Sequence, residues 1–163
     1  MAPSGYAFRQ MLPADLPMVR RWLALPHVAQ WWGDPTEQFE LVRGDLDHPA
    51  MEQYIVVSDD RPFAYLQCYD PTAWPDNGFG EQPHGARGID QFIGEADMID
   101  RGHGCALIRA FTDRLLVSGA PCVLTDPDPA NARAVRSYEK AGFHKSRLVA
   151  TPDGPAVLMV RSA

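Results

Sequence analysis

The chain has 163 residues and a mass of 18.1 kDa, with 45% hydrophobic and 22% charged residues, the make-up of one globular domain over 1–163. No run of about 18 apolar residues occurs, which excludes a membrane-spanning helix, and Met1–Gln10 lacks the basic-then-apolar layout of a secretory signal. Three cysteines, Cys68, Cys105 and Cys122, are odd in number and not closely paired, which argues against a disulfide scaffold and for the cytoplasm.

In chain order, Tyr6–Gln10 is a short strand. Pro13-Ala14-Asp15 opens a helix with Leu16, Val19, Trp22 and Leu23 at helical spacing. Gln30–Pro35, containing Trp31-Trp32-Gly33, reads as a loop or short turn. Gln53–Ser58 and Phe63–Tyr69 are strands joined in a hairpin through Asp59-Asp60-Arg61-Pro62. Asp70–Gly88 is rich in Pro, Gly and Asp and reads as a long loop, of a length that is usually functional or mobile. Gly88–Ile93 is the next strand, and Gly102-His103-Gly104 follows it. A helix then runs from about Gly104 to Ser118, with Leu107, Ile108, Phe111 and Leu115 on one face. Cys122–Thr125 is a short buried strand. Asn131 caps a helix whose inner face is Ala134, Val135, Tyr138 and Ala141, closed by Gly142. His144–Thr151 and Ala156–Val160 form a last hairpin around Pro152-Asp153-Gly154. The class is α+β, with a β-α-β-α-β stretch from residue 88 onward.

The net charge of −6 is unevenly spread. Residues 70–100 hold seven acids (Asp70, Asp76, Glu81, Asp90, Glu95, Asp97, Asp100) against Arg87 alone. Residues 101–163 carry a net +4. The middle block suits a cationic partner or simply a solvated loop, and the last third an anionic one. With two lysines and no basic tract, the chain is a poor nucleic-acid binder. Gly102-His103-Gly104 lacks the third glycine of a dinucleotide fingerprint. No Walker A, G-x-S-x-G, H-E-x-x-H or C-x-x-C occurs, so no metal is expected. Cys105 at a helix start can be an activated thiol or a small packed residue; no base stands near it in sequence.

A strand, a glycine loop and a helix start make an anion site, because unpaired amides and the helix dipole point at the loop. Together with Asn131–Phe143 (NARAVRSYEKAGF), this resembles the GNAT N-acyltransferase superfamily, whose glycine loop holds the pyrophosphate of acetyl-coenzyme A. Val28–Gly33 (VAQWWG), Gly88–Gln91 (GIDQ), Thr125–Pro129 (TDPDP) and Thr151–Val160 (TPDGPAVLMV) narrow the resemblance to bacterial aminoglycoside 6′-N-acetyltransferases of antibiotic resistance. Ile99 stands where most of the superfamily has Arg or Gln, and Asp70–Gly85 matches poorly.

The resemblance implies a mostly antiparallel sheet flanked by helices and splayed around a coenzyme A loop. It implies acetyl transfer from acetyl-CoA to a primary amine of a small cationic acceptor, with no nucleic acid or membrane partner, by a monomer or homodimer. It places Asp90 in the cleft as base or proton relay, although pairing with Arg87 or loop capping also accounts for an acid there. Tyr138 becomes the proton donor to the leaving thiolate, or one more residue of its helix's apolar face. Backbone amides of Gln91, Phe92 and Ile93 polarise the thioester carbonyl, and Arg101, Gly102, His103, Gly104, Cys105 and Asn131 complete the coenzyme site. Asp90, Asp126 and Asp153 surround the amino sugar, with Asp76 and a stacking Trp32 as further contacts. Asp153 in a Pro-Asp-Gly turn is equally ordinary turn chemistry. Other acceptors remain open: a siderophore precursor, a polyamine or a protein amine. So does a coenzyme-A-binding domain without catalysis.

Overall fold

The computed structural model describes residues 5–163, so the reading of Met1–Gln10 falls partly on residues outside those described. Among the described residues seven strands form one sheet: β1 (Ala7–Gln10), β2 (Met51–Ser58), β3 (Arg61–Tyr69), β4 (Arg87–Ile93), β5 (Cys122–Thr125), β6 (His144–Thr151) and β7 (Gly154–Ser162). Their order across the sheet is β1-β2-β3-β4-β5-β7-β6. β1–β2, β5–β7 and β6–β7 run antiparallel and β4–β5 parallel. Among the described residues the α-helices are α1 (Leu16–Leu23), α2 (Pro26–Trp32), α3 (Pro35–Gly44), α4 (His103–Val117) and α5 (Ala132–Lys140). Among the described residues no helix is long and apolar enough to cross a membrane. The contacts divide the chain into two compact units: residues up to Gln67 with Gln91–His103, and Cys68–Asp90 with Gly104–Ala163.

The first unit is built on aromatic packing. Val19, Trp22 and Leu23 form the buried stripe of α1, as their spacing predicts. Gln30–Pro35 is a correction: Trp31 and Trp32 end helix α2, and a further helix, α3, follows. Both helices start on proline at the first position, where a missing N–H costs nothing. Asp34 caps α3 by accepting the Glu37 amide at 2.9 Å, and Gly33 makes the break between them at φ 98°. The β2–β3 turn has Asp59 and Asp60 at φ 49° and 64°, the paired left-handed geometry that matches strand twist in a two-residue hairpin. Trp22 Nε1 donates to Glu95 at 2.6 Å, which satisfies the one polar atom of a fully buried ring.

In the second unit, β4 and β5 pair through Arg87↔Val123 and Gly88↔Leu124, and one residue later the Ile89 carbonyl accepts the Thr125 hydroxyl at 3.0 Å. The long loop after β3 contains two 3-10 turns, Pro71–Ala73 and Pro75–Asn77. Helix α5 is capped as expected, with Asn131 Oδ1 accepting the Ala134 amide at 3.2 Å.

Gly94 lies flat against Trp22: a Cβ there would stand 2.2 Å from the indole. The ring is fully buried and cannot move aside. Gly94→Ala is therefore expected to destabilise the protein by roughly 1–3 kcal/mol through overpacking. Urea unfolding checks this; an unchanged midpoint contradicts it.

Candidate active site

Three carboxylates meet in the second unit. Asp90 is a half-buried residue of β4, Asp126 directly follows β5, and Asp153 sits in the β6–β7 turn. The Asp126 carboxyl is pushed up to about 8, first by burial, then by the negative charges of Asp90 and Asp153. Tyr69, at the end of β3, shares the same field. Its phenol is raised well above the usual range, chiefly by burial and then by Asp90, Asp126 and Tyr138. Tyr138 is buried on α5 with its ring edge-on to Phe143 at 5.4 Å. Asp126 and Tyr69 thus share Asp90 as a neighbour, with Asp153 acting on Asp126 and Tyr138 on Tyr69.

Tyr69 is the member that sequence reasoning missed. Its ring lies on Gly88 of β4, where a Cβ would stand 2.4 Å from the aromatic carbons and 2.8 Å from the hydroxyl. Only glycine admits a tyrosine this close to the strand. The signal was the glycine of the Gly88–Gln91 stretch, but only the β3–β4 neighbourhood shows which ring it serves. Arg87, considered as a partner for Asp90, donates from Nε to Cys68 Sγ at 3.4 Å.

The glycine loop is a separate feature. Asp100 and Gly102 have left-handed φ of 59° and 82°, and α4 begins immediately afterwards at His103. The space beside Gly102 is open, with nothing within 4 Å of a Cβ position. Gly104 approaches α5 instead, at 3.3 Å from Ser137 Oγ for a Cβ. His103 and Gly104 stand in the first turn of α4, where an α-helix leaves its backbone amides without intrahelical acceptors. With exposed Arg101 beside them, these residues fit a pyrophosphate. The His103 ring is otherwise engaged: it is buried, 2.9 Å from the Tyr6 hydroxyl, and burial and then Arg101 shift its titration below the usual histidine range. The Asn131 side chain is occupied in capping α5. Cys105 is half-buried in the first turn of α4, and no disulfide joins the three cysteines.

Other expected site residues have different surroundings. Phe92 is buried in the aromatic cluster of the first unit, so its side chain serves packing. Trp32 is half-buried with its ring 5.0 Å from Phe92 and 6.1 Å from Tyr65, in edge contacts; the more exposed indole is Trp31. Gln91 and Ile93 are half-buried, and the Ile93 carbonyl accepts His27 Nε2–H at 2.9 Å. Asp76 is exposed on the second 3-10 turn. The acidic block is also divided in its tasks. Asp97 takes both Arg61 nitrogens at 2.8 Å, Glu95 binds Trp22, and Asp70 caps the Thr72 amide at 3.0 Å. Among the described residues no group of three or more His, Cys, Asp or Glu can hold a metal ion.

Comparison with known proteins places this geometry. Residues 11–151 match the acetyltransferase (GNAT) domain family. An aminoglycoside N(6′)-acetyltransferase type 1 of Klebsiella pneumoniae is 36% identical over 94% of this chain and 81% of its own. The solved structure of AAC(6')-Ib with paromomycin and acetyl-CoA superposes with a TM-score of 0.87 at 35% identity, covering 98% of this chain and 94% of that one. An aminoglycoside N(6′)-acetyltransferase of Legionella pneumophila superposes with a TM-score of 0.82 at 26% identity, over 99% of this chain and 94% of its own. The mixed, mostly antiparallel sheet with flanking helices is the GNAT fold. The chain belongs to the GNAT acetyltransferase family and, within it, closely resembles bacterial aminoglycoside 6′-N-acetyltransferases.

Proposed function

We propose that the chain is an aminoglycoside 6′-N-acetyltransferase, acting in the cytoplasm as a single domain over 1–163. The observation that carries this is the carboxylate cluster, in which burial first, and then the charges of Asp90 and Asp153, push Asp126 up to about 8. Both the burial of that acid and the repulsion from its neighbours are relieved by a bound polycation. An acceptor with several ammonium groups matches it, and a neutral acceptor does not.

The residues divide the work. Acetyl-CoA supplies the acyl group as an activated thioester. The first-turn amides of α4 and Arg101 bind its pyrophosphate, and backbone amides at Gln91–Ile93 polarise the carbonyl. Asp90 takes the proton that the amine must lose. Tyr138 returns a proton to the departing sulfur. Asp126 and Asp153 orient the remaining ammonium groups, and Tyr69 stands in the field of Asp90, Asp126 and Tyr138.

The wild type should release thiol from acetyl-CoA with kanamycin-type acceptors and place the acetyl group on the 6′ amine. A panel that also holds polyamines, hydroxylamines and peptides tests this; silence with every aminoglycoside overturns the proposal. Asp90→Asn should lower kcat by roughly 10²-fold or more, the usual range for a positioned base. Tyr138→Phe should lower kcat while the acetyl-CoA affinity stays within a few-fold, because the hydroxyl acts as sulfur leaves.

Asp126 gives a test with two signs. In the unfolded chain its carboxyl ionises near 3.8, in the folded one near 8. Between these values the folded state holds a proton that the unfolded state has lost, so stability falls as pH rises, by up to about 1.4 kcal/mol per pH unit. Asp126→Asn removes that loss. Its melting temperature relative to wild type should climb from pH 4 to pH 8 and level off above. At the same time the KM for the amine should rise, since the carboxylate that binds it is gone. A melting difference independent of pH contradicts the assignment.

A further inference from the structure

We infer that Arg147 is a positioning residue for the acceptor: it clamps the loop after β3 onto the β6–β7 hairpin and so fixes two arms of the acid site relative to each other. The inference rests on the proposed amine acceptor and adds a residue that neither motif nor charge pattern singled out.

The clamp is built from one nitrogen. Arg147 Nη2 donates to the Phe79 carbonyl at 2.6 Å and reaches the Gly78 carbonyl at 3.5 Å. Phe79 is itself a buried anchor, 1% exposed. Its carbonyl takes a second donor, Gln82 Nε2, at 2.9 Å, and its amide donates to Asn77 Oδ1 at 2.8 Å. The loop backbone lies directly against β6 here: a Cβ on Gly78 would stand 2.7 Å from the Ala150 carbonyl, and one on Gly80 2.9 Å from Arg147 Nη2. Both glycines have left-handed φ, 81° and 70°.

A bulge aims the arginine. Lys145 pairs with Met159 and Arg147 with Leu158, so Ser146 is the extra residue. Residues two apart on a regular strand share a face; across a one-residue bulge they do not. Arg147 therefore leaves the face that Lys145 occupies.

From this point two paths lead to the acids. Along the hairpin, β6 ends at Thr151, whose hydroxyl bonds the Gly154 carbonyl at 2.7 Å and sets the turn that holds Asp153, a neighbour of Asp126. Along the loop, Asn77 Nδ2 donates to the Pro71 carbonyl at 3.1 Å, and Trp74 between them lies edge-on to Tyr69 at 5.6 Å. Tyr69 stands in the field of Asp90 and Asp126. The loop also carries Asp76. Without the clamp, a 17-residue connection between β3 and β4 would keep Phe79 burial, its own turns and the Trp74–Tyr69 contact, but would lose its side-chain tether to the hairpin.

The test uses Arg147→Ala and Arg147→Lys in the full chain, with two readouts. Hydrogen exchange over residues 74–82 should quicken in R147A. The KM for the aminoglycoside should rise about tenfold, the scale of one lost charge-assisted hydrogen bond, while kcat and the acetyl-CoA KM stay within about twofold. A loss of folding alone would move all three together. Because both contacts use one nitrogen, the ammonium of R147K should recover much of the effect. Unchanged exchange in R147A overturns the clamp, whatever the wild type acetylates. Quickened exchange with an unchanged acceptor KM overturns its role at the acceptor. If the wild type acetylates no aminoglycoside, the proposed function fails separately and the exchange experiment still decides the clamp.

Discussion

The second unit is organised around a buried acid with acidic neighbours. Asp126 is held by burial and by the charges of Asp90 and Asp153 in a form that resists ionising, up to about 8. Folding brings these groups together from three distant points in the chain: a central strand, the end of β5 and a hairpin turn. Hydrophobic burial around them must exceed that cost, and the nearby strands are suited to it. β5 is buried at every position, and β7 is buried from Ala156 to Met159. A cluster of like charges maintained at the expense of stability is a functional-site signature, because packing alone would select against it.

The same environment depends on close approach. Gly88 lets the Tyr69 ring lie on β4, and Gly104 lets α4 approach Ser137 of α5. Neither glycine is there for a left-handed turn. Each is small so that a neighbour can come near. Gly102 is the opposite case, with a left-handed φ and open space around it. The two glycines of the Gly102-His103-Gly104 pair thus have different tasks, one conformational and one steric.

Much of the architecture was legible because local signals and tertiary packing agree. The strand Cys122–Thr125, the Asn131 cap and the hairpin about Asp153 stand where the pattern put them. Gln30–Pro35 was misread because the aromatic pair and glycine outweighed two weaker signals, proline at a first helical position and Asp34 as cap. In the site, the acids came from motif resemblance, and the structure supplies the field that joins them. Tyr69 and Arg147 were not legible. The first depends on which ring faces Gly88 across neighbouring strands. The second depends on a single-residue bulge at Ser146 that no periodicity reports. Trp32 and His103 show the reverse: residue types suited to ligands, with rings engaged in packing or bonded to Tyr6.

The two chemical demands of the proposed reaction are met by different kinds of group, and this explains the uneven legibility. An anion can be held by backbone amides, so the loop before α4 needs only a helix start and a residue tolerant of left-handed φ. Side chains there are released for other uses, as His103 at the helix start shows. A polycation has to be held by carboxylates, which carry desolvation and repulsion with them. Those acids therefore need rigid supports: a strand for Asp90, a strand end for Asp126, a short turn closed by Thr151 for Asp153. Asp76 alone rides on a long connection, and it is that connection which Arg147 ties to the hairpin. The acid least fixed by secondary structure is the one whose loop carries an added side-chain tether.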